Sequence, residues 1–365
     1  MRSPSGILTL LCFSSALLFL VPLLASAHPF GYHDEGNPEN PWDRFYNLSG
    51  CHRGDDRPGL ADVKRYLHRF GYLPDLPSNF SGDFDDALEA ALLAYQRNFH
   101  LNASGALDSS TVDLMVQPRC GVADVEVNGT ATARGRGLYS YFSGRPTWPR
   151  SNNHLTYTFT STSGIAASSS AIRAVFARAF SRWSAVTTLT FSEAAIPLMA
   201  DITIGFYGGD HGDGEPFDGV LGTLAHAFSP PDGRFHLDAA ENWVAEGDVA
   251  AAESLSAVDL ESVAVHEIGH LLGLGHSTVP EAIMYPTIRA GTRKVDLSQD
   301  DVDGIQSLYG TNPSFTGLAM SPGSSTSPTN TMRERETNGG SAAPAGWAPA
   351  IARLVVAVGA SLLVW

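Results

Sequence analysis

The sequence predicts an α+β domain of about 165 residues preceded by a small three-helix bundle. Three observations carry that prediction. Between about Gly59 and Val116 the apolar residues recur at helical spacing throughout. From His154 onward an alternating stretch, LTYTF, gives way to an amphipathic helix and then to further short β-type stretches. The helical period returns around Val265 and again from Ser298, so strands and helices segregate by face.

In chain order, residues 1–27 read as a secretory signal peptide. Arg2 precedes an apolar run from Ile7 to Leu24, and Ala25-Ser26-Ala27 forms a small-residue cleavage signal. Cys12 leaves with it, so the exported chain keeps Cys51 and Cys120. The bundle has Leu60, Val63, Leu67 and Phe70 on its first helix, which stops at Gly71, and Leu88, Leu92, Tyr95 and Phe99 on its second. Asp108 caps the third, with Val112 and Met115 inward. The α+β region follows from Thr147. Its first helix has Ile172, Val175, Phe176, Ala179, Phe180 and Trp183 at intervals of three and four, and must lie on a sheet. Strands are expected at Leu189 to Ser192, Asp201 to Tyr207, Leu224 to Phe228 and Phe235 to Leu237. A last helix runs from Ser298 to Tyr309, with Val302, Ile305 and Leu308 inward and Gly310 ending it.

The net charge of −15 argues against a nucleic-acid partner and supplies carboxylates for hard cations such as calcium. At the far end, residues 313–340 are rich in Ser, Thr, Pro and Gly and read as a linker. Within residues 341–365, the stretch AIARLVVAVGASLLVW from position 350 is apolar apart from Arg353 and too short for a comfortable membrane span. Small residues at Asn338, Gly339 and Gly340, a polar spacer and that tail fit a glycosylphosphatidylinositol anchor signal, with attachment expected at Asn338. Sequons at Asn47, Asn79, Asn102 and Asn128 are candidate glycosylation sites in the amino-terminal part.

The chemistry lies in Val265 to Ser277, VHEIGHLLGLGHS. His266 and His270 are one helical turn apart on one face. Gly273 lets the helix stop, so that His276 can supply a third imidazole from outside it. Three neutral nitrogen donors suit zinc and leave a fourth tetrahedral position for water, the pattern of a catalytic site, with Glu267 as the general base. A buried helix rich in histidine is the plain alternative for His-Glu-x-x-His alone; the third histidine after a glycine weighs against it.

H-E-x-x-H-x-x-G-x-x-H is the metzincin signature, and Ser277 after the third histidine resembles the matrix metalloproteinases within that clan. The resemblance implies a catalytic domain at 138–312, a twisted mixed sheet with three helices. It makes 28–137 a propeptide whose bundle is similar to peptidoglycan-binding domains. Met284, eight residues beyond His276, matches the family's methionine turn, an apolar floor beneath the zinc. PRCGVAD, Pro118 to Asp124, matches the cysteine switch, in which the Cys120 thiolate takes the open zinc position and Arg119 pairs with Asp124. Maturation is expected between Arg134 and Tyr141, by an activating protease or by autolysis. Cys51 has no role in this pattern and is expected free or joined to something unseen.

Position by position, His211, Asp213, His226 and His236 resemble the family's second, structural zinc site. Asp218, Asp238 and Glu241, with the backbone oxygens of Gly219, Leu221 and Thr223, resemble a calcium site, and Asp201 a ligand of another calcium. In the family a substrate adds beside the strand carrying Leu224 and Ala225, and Ser262, Pro286 and Ile288 border the pocket for the residue after the scissile bond. Small Ser262 implies a deep pocket for a bulky apolar side chain. With its signal, switch and anchor tail the chain looks most like the plant matrix metalloproteinases. The implied protein is a monomeric, latent zinc endopeptidase of extracellular proteins at the plasma membrane. A cell-surface binding protein that keeps the fold without chemistry is the rival, and an intact Glu267 beside an intact latch weighs against it.

Overall fold

The computed structural model describes residues 40–73, 79–125, 139–149, 151, 153–162 and 164–317. The signal peptide with Cys12, the sequon at Asn128, Arg134 to Gly137, the linker from residue 318 on, Asn338 and the apolar tail lie outside the described residues.

After a 3-10 turn at Asp43–Leu48 come helices α1 (Leu60–Arg69), α2 (Asp86–Asn98) and α3 (Ser109–Met115). The apolar positions read from helical spacing, Phe70 and Phe99 included, meet in one core. Asp85 and Asp108 start α2 and α3 by accepting from the N–H groups of Leu88 and Thr111. Cys51 is buried in this core as a free thiol. Asn47, Asn79 and Asn102 are exposed, as glycan acceptors must be.

The sheet contains β1 (Arg119–Cys120), β2 (His154–Ser161), β3 (Thr190–Glu193), β4 (Ile202–Tyr207), β5 (Thr223–Ala227) and β6 (Arg234–Asp238), in the order β1-β5-β6-β4-β2-β3. It is mixed: β5 and β6 pair antiparallel, and every other neighbouring pair is parallel. Sequence periodicity misses β1, together with the separate pair β7 (Asn242–Val244) and β8 (Ala257–Asp259), because two or three residues are too few to display a period.

Helices α4 (Ser169–Val186) and α5 (Leu260–Leu271) pack on each other and on the sheet around one core, to which α6 (Gln299–Tyr309) adds Val302, Ile305 and Leu308. Every residue of α5 is buried, so this helix runs through the domain rather than over it. Two indoles fix it: Trp183 Nε1 donates to Val265 O at 2.9 Å and Trp148 Nε1 to Leu271 O at 2.8 Å. It ends in a Schellman turn, with Gly273 N–H on His270 O and Leu274 N–H on Gly269 O. Gly273 has a φ of +98°, and a Cβ there would lie 2.3 Å from Pro146 O, so no other residue serves.

The first turn of α5 is held electrostatically. Buried Glu261 accepts from Arg178 Nε at 2.8 Å, Arg182 Nη2 at 3.0 Å and Arg293 Nη2 at 2.9 Å. Burial alone pushes this carboxyl up, but the three guanidinium groups outweigh it and hold it below the usual glutamate range. A depressed folded value contributes stability above the ordinary glutamate pKa that is lost as pH falls through it. Glu261→Gln is therefore expected to cost about 2 kcal/mol near neutral pH. Urea unfolding of both proteins across pH checks this, because the difference should close in acid.

At the far end of the segment read as a maturation loop, Tyr139, Ser140 and Tyr141 are buried. Ser140 Oγ donates to His276 O at 2.7 Å, Gly275 N–H to Ser140 O at 2.9 Å and Tyr141 OH to Gly304 O at 3.1 Å. A protease needs exposed, unpaired backbone, and these three residues do not offer it.

Candidate active site

On α5 the side chains of His266 and His270 point the same way, and the turn at Gly273 brings His276 to them. Each Nδ1 meets an acceptor: Ile283 O at 2.7 Å for His266, Leu274 O at 2.8 Å for His270 and Asp124 Oδ1 at 2.7 Å for His276. A carbonyl can only accept, so Nδ1 carries the proton and each ring turns an Nε2 lone pair inward. His266 Nε2 and His270 Nε2 lie 3.1 Å apart, and His276 Nε2 is buried with no hydrogen-bond partner among the described residues. Burial holds His266 and His270 well below the usual histidine range and His276 below it, so all three rings are neutral. Three converging lone pairs repel one another unless a cation lies among them, and neutral imidazoles are what zinc takes.

Cys120 Sγ completes the group. It lies 3.4 Å from His270 Nε2, and the four ligand atoms are all within 4.8 Å of one another. Burial pushes this thiol well up and the neighbouring Glu267 charge adds to it, so a thiolate here needs a cation beside it. Both Glu267 carboxylate oxygens are buried, and burial pushes its pKa up to about 8 although the Cys120 thiol beside it acts the other way. Beneath them lies Met284, fully buried. A Cβ at Gly269 would meet its sulfur at 2.2 Å, which explains the glycine inside His-Glu-Ile-Gly-His. Asp301 fixes that methionine turn by accepting from Ile283 N at 2.8 Å and Met284 N at 3.1 Å. Sequence reading found Asp301 only as part of a helix start; nothing local signals its second task.

The segment carrying Cys120 is gripped on both sides. Arg119 N–H donates to Gly222 O at 3.1 Å and Gly121 N–H to Ala225 O at 2.8 Å, while Cys120 N–H donates to Pro286 O and Ile288 N–H to Pro118 O. Gly121 is needed because a Cβ would lie 2.7 Å from the Thr223 methyl. Arg119 is fully buried, stacked 3.5 Å over Phe70 and bonded to Asp124 Oδ1 at 2.5 Å. The other Asp124 oxygen accepts from Tyr72 OH at 2.9 Å. The Arg119 to Asp124 pair was expected; the bond from Asp124 to His276, which ties the amino-terminal segment to a candidate ligand, was not.

A second group gathers His211, Asp213, His226 and His236, whose ligand atoms also lie within 4.8 Å. Three ring nitrogens surround one oxygen, Asp213 Oδ2, at 2.9, 2.8 and 2.8 Å. Burial alone raises the Asp213 carboxyl, but Glu215 N–H and the His226 and His236 rings outweigh it and hold it well below its usual range. Burial holds His226 at about 4. Three imidazoles and one carboxylate match the closed four-ligand set of a structural site.

Asp218, Asp238 and Glu241 share the loop before and after β5 and β6, but among the described residues they do not form a group as tight as the other two. They accept from the N–H groups of Thr223, Gly219 and Leu221, whose carbonyls were the expected backbone ligands. Glu241 Oε2 is buried without a partner, and burial, with Asp238 and Asp218 nearby, pushes its pKa up to about 8. Crowded buried carboxylates fit a hard divalent cation. Asp201 stands apart from both groups, its Oδ2 accepting from Thr156 N at 2.7 Å and Thr156 Oγ1 at 2.8 Å.

Beside Cys120 and Glu267 opens a small cavity of about 30 Å³ bordered by Leu224, Ser262, Pro286 and Ile288. Ala225 does not line it; its carbonyl faces the segment on the sheet edge. Tyr285 and Lys294 border it as well, and sequence reading assigned neither.

Comparison with known proteins agrees with this geometry. The matrixin profile matches residues 147–310 and a peptidoglycan binding domain profile residues 56–115. The chain is 53% identical to Metalloendoproteinase 2-MMP of Arabidopsis thaliana over 83% of this chain and 82% of that protein. It is 44% identical to Metalloendoproteinase 1 of Glycine max over 83% of this chain and 97% of that protein. Against Stromelysin-1 of Mus musculus the identity is 38%, over 75% of this chain and 54% of that protein. With this likeness extending over most of its length, the chain belongs to the matrixins and is a zinc metalloendopeptidase.

Proposed function

We propose that this metalloendopeptidase is made as a latent, exported precursor that cleaves extracellular proteins after its amino-terminal segment is removed. The observation that carries the reading is the convergence of Cys120 Sγ with His266, His270 and His276, while the segment bearing the cysteine occupies the edge of β5. In this reading the three histidines hold the catalytic zinc and Cys120 closes it off in the precursor. Zinc, when bound there, supplies a Lewis acid that acidifies water and polarises the scissile carbonyl. Glu267 takes the proton of the attacking water and delivers it to the leaving amine. The freed edge of β5 holds the substrate backbone by main-chain hydrogen bonds, and the cavity beside it takes a bulky apolar residue after the scissile bond.

His211, Asp213, His226 and His236 hold a structural zinc, and Asp218, Asp238, Glu241 and the carbonyls of Gly219, Leu221 and Thr223 a calcium. The maturing cut falls before Tyr139, since the residues from there on belong to the catalytic domain. Glycans on Asn47, Asn79, Asn102 and Asn128 leave with the propeptide. A lipid on Asn338 tethers the monomeric enzyme to the outer face of the plasma membrane; release by a phosphatidylinositol-specific phospholipase tests the tether.

Metal analysis tests the core of the reading. The processed chain is expected to carry two zinc ions, one for each ligand group. Exhaustive chelation should abolish cleavage of a peptide with Leu after the scissile bond, and added zinc should restore it. Cleavage that survives metal removal would sink the assignment.

A further inference from the structure

The cavity beside Glu267 contains a charge that the roles above leave unused. Lys294 donates its backbone N–H to Ser262 Oγ at 2.8 Å, and its Nζ to Pro280 O at 2.7 Å. Its side chain thus runs from the first turn of α5 toward the loop after His276, at the Ser262 end of the cavity. Glu267 is five residues farther along α5, about 7.5 Å of helix rise away. That rise separates Glu267 from the turn that anchors the Lys294 backbone, and the Lys294 side chain lines the same cavity.

The lining also includes the apolar side chains of Leu224, Val263, Ile283 and Ile288. Nζ lies 5.6 Å from the centre of the Tyr285 ring, and burial holds the lysine below its usual range. Asp301 and Glu281 act on it through space without a hydrogen bond. Both Asp301 oxygens are already engaged, with Ile283 N, Met284 N and Ser298. An ammonium has three donors, and Pro280 O uses one.

We propose that Lys294 is a specificity-determining residue. Besides branched aliphatic side chains, the cavity takes glutamine or glutamate after the scissile bond, whose terminal oxygen accepts from the Lys294 ammonium while its methylenes lie on Leu224, Val263 and Ile288. The assignment rests on reading the cavity as the site for that residue.

The test uses the full chain, activated by limited proteolysis, and matched peptides with Leu, Met, Gln, Glu or Asp after the scissile bond. Glu should be cleaved within about tenfold of Met, and Asp, with the same charge but less reach, about tenfold or more slower than Glu. In Lys294→Met the Glu to Met ratio of kcat/KM should fall about tenfold, and Lys294→Arg, which keeps donors there, should retain it. Cleavage of Leu with Glu no better than Asp overturns the Lys294 assignment and leaves the protease reading intact. So does an unchanged ratio in a folded Lys294→Met. Should that variant not fold, the wild-type comparison of Glu with Asp decides alone. No cleavage of any peptide, Leu included, overturns both readings.

Discussion

Glu267→Gln in the activated chain is expected to lower kcat about a thousandfold while leaving the zinc content unchanged. The substitution keeps the shape of a side chain whose two oxygens are buried. It removes the capacity to take a proton. Glu267 is carried on the same turn of α5 as His266, yet it is not one of the four side chains whose ligand atoms converge. Its pKa of about 8, set by burial, shows how strongly the site resists a bare carboxylate, and a divalent cation held by the three imidazoles pulls it back toward the working range of a general base. Peptide cleavage and metal analysis on the same sample separate the two roles. A variant that keeps more than about a tenth of the wild-type kcat would place the base elsewhere. One that loses its zinc would make Glu267 a structural residue.

How much of this was legible in the sequence depended on whether the signal was local. Helices α1, α2 and α4 were readable because their apolar residues repeat over about three turns or more, the short α3 because Asp108 marks its start, and α6 because Ser298 and Gly310 mark its two ends. The three histidines were readable because helix geometry and one glycine bring them together within eleven residues. What could not be read are contacts made across long stretches of chain. Asp124 lies 152 residues from His276, yet holds its Nδ1. Asp301 fixes the methionine turn from the start of α6. Lys294, in a loop with no period, reaches the cavity through a backbone bond to a residue 32 positions earlier. In each case the residue type was ordinary, and only the tertiary fold gave it a partner.

Cys120→Ser should turn the uncut precursor into an enzyme of measurable but partial activity, because the latch has a chemical part and a mechanical part. The chemical part is the sulfur among the three Nε2 atoms. Serine's hydroxyl is a far poorer zinc ligand than a thiolate, so water regains access. The mechanical part survives: Arg119 and Gly121 still bond to Gly222 and Ala225 on β5, and Arg119 and Asp124 remain a buried pair that also holds Tyr72 and His276. Adding Arg119→Ala leaves Asp124 buried without its guanidinium, a loss of about 3–5 kcal/mol in docking. The double variant should therefore be far more active uncut than Cys120→Ser, approaching the trimmed enzyme. Peptide cleavage by each precursor, with gel analysis proving it uncut, separates the two parts. If uncut Cys120→Ser is silent while its trimmed form works, the β1 edge contacts alone account for latency and the sulfur is dispensable.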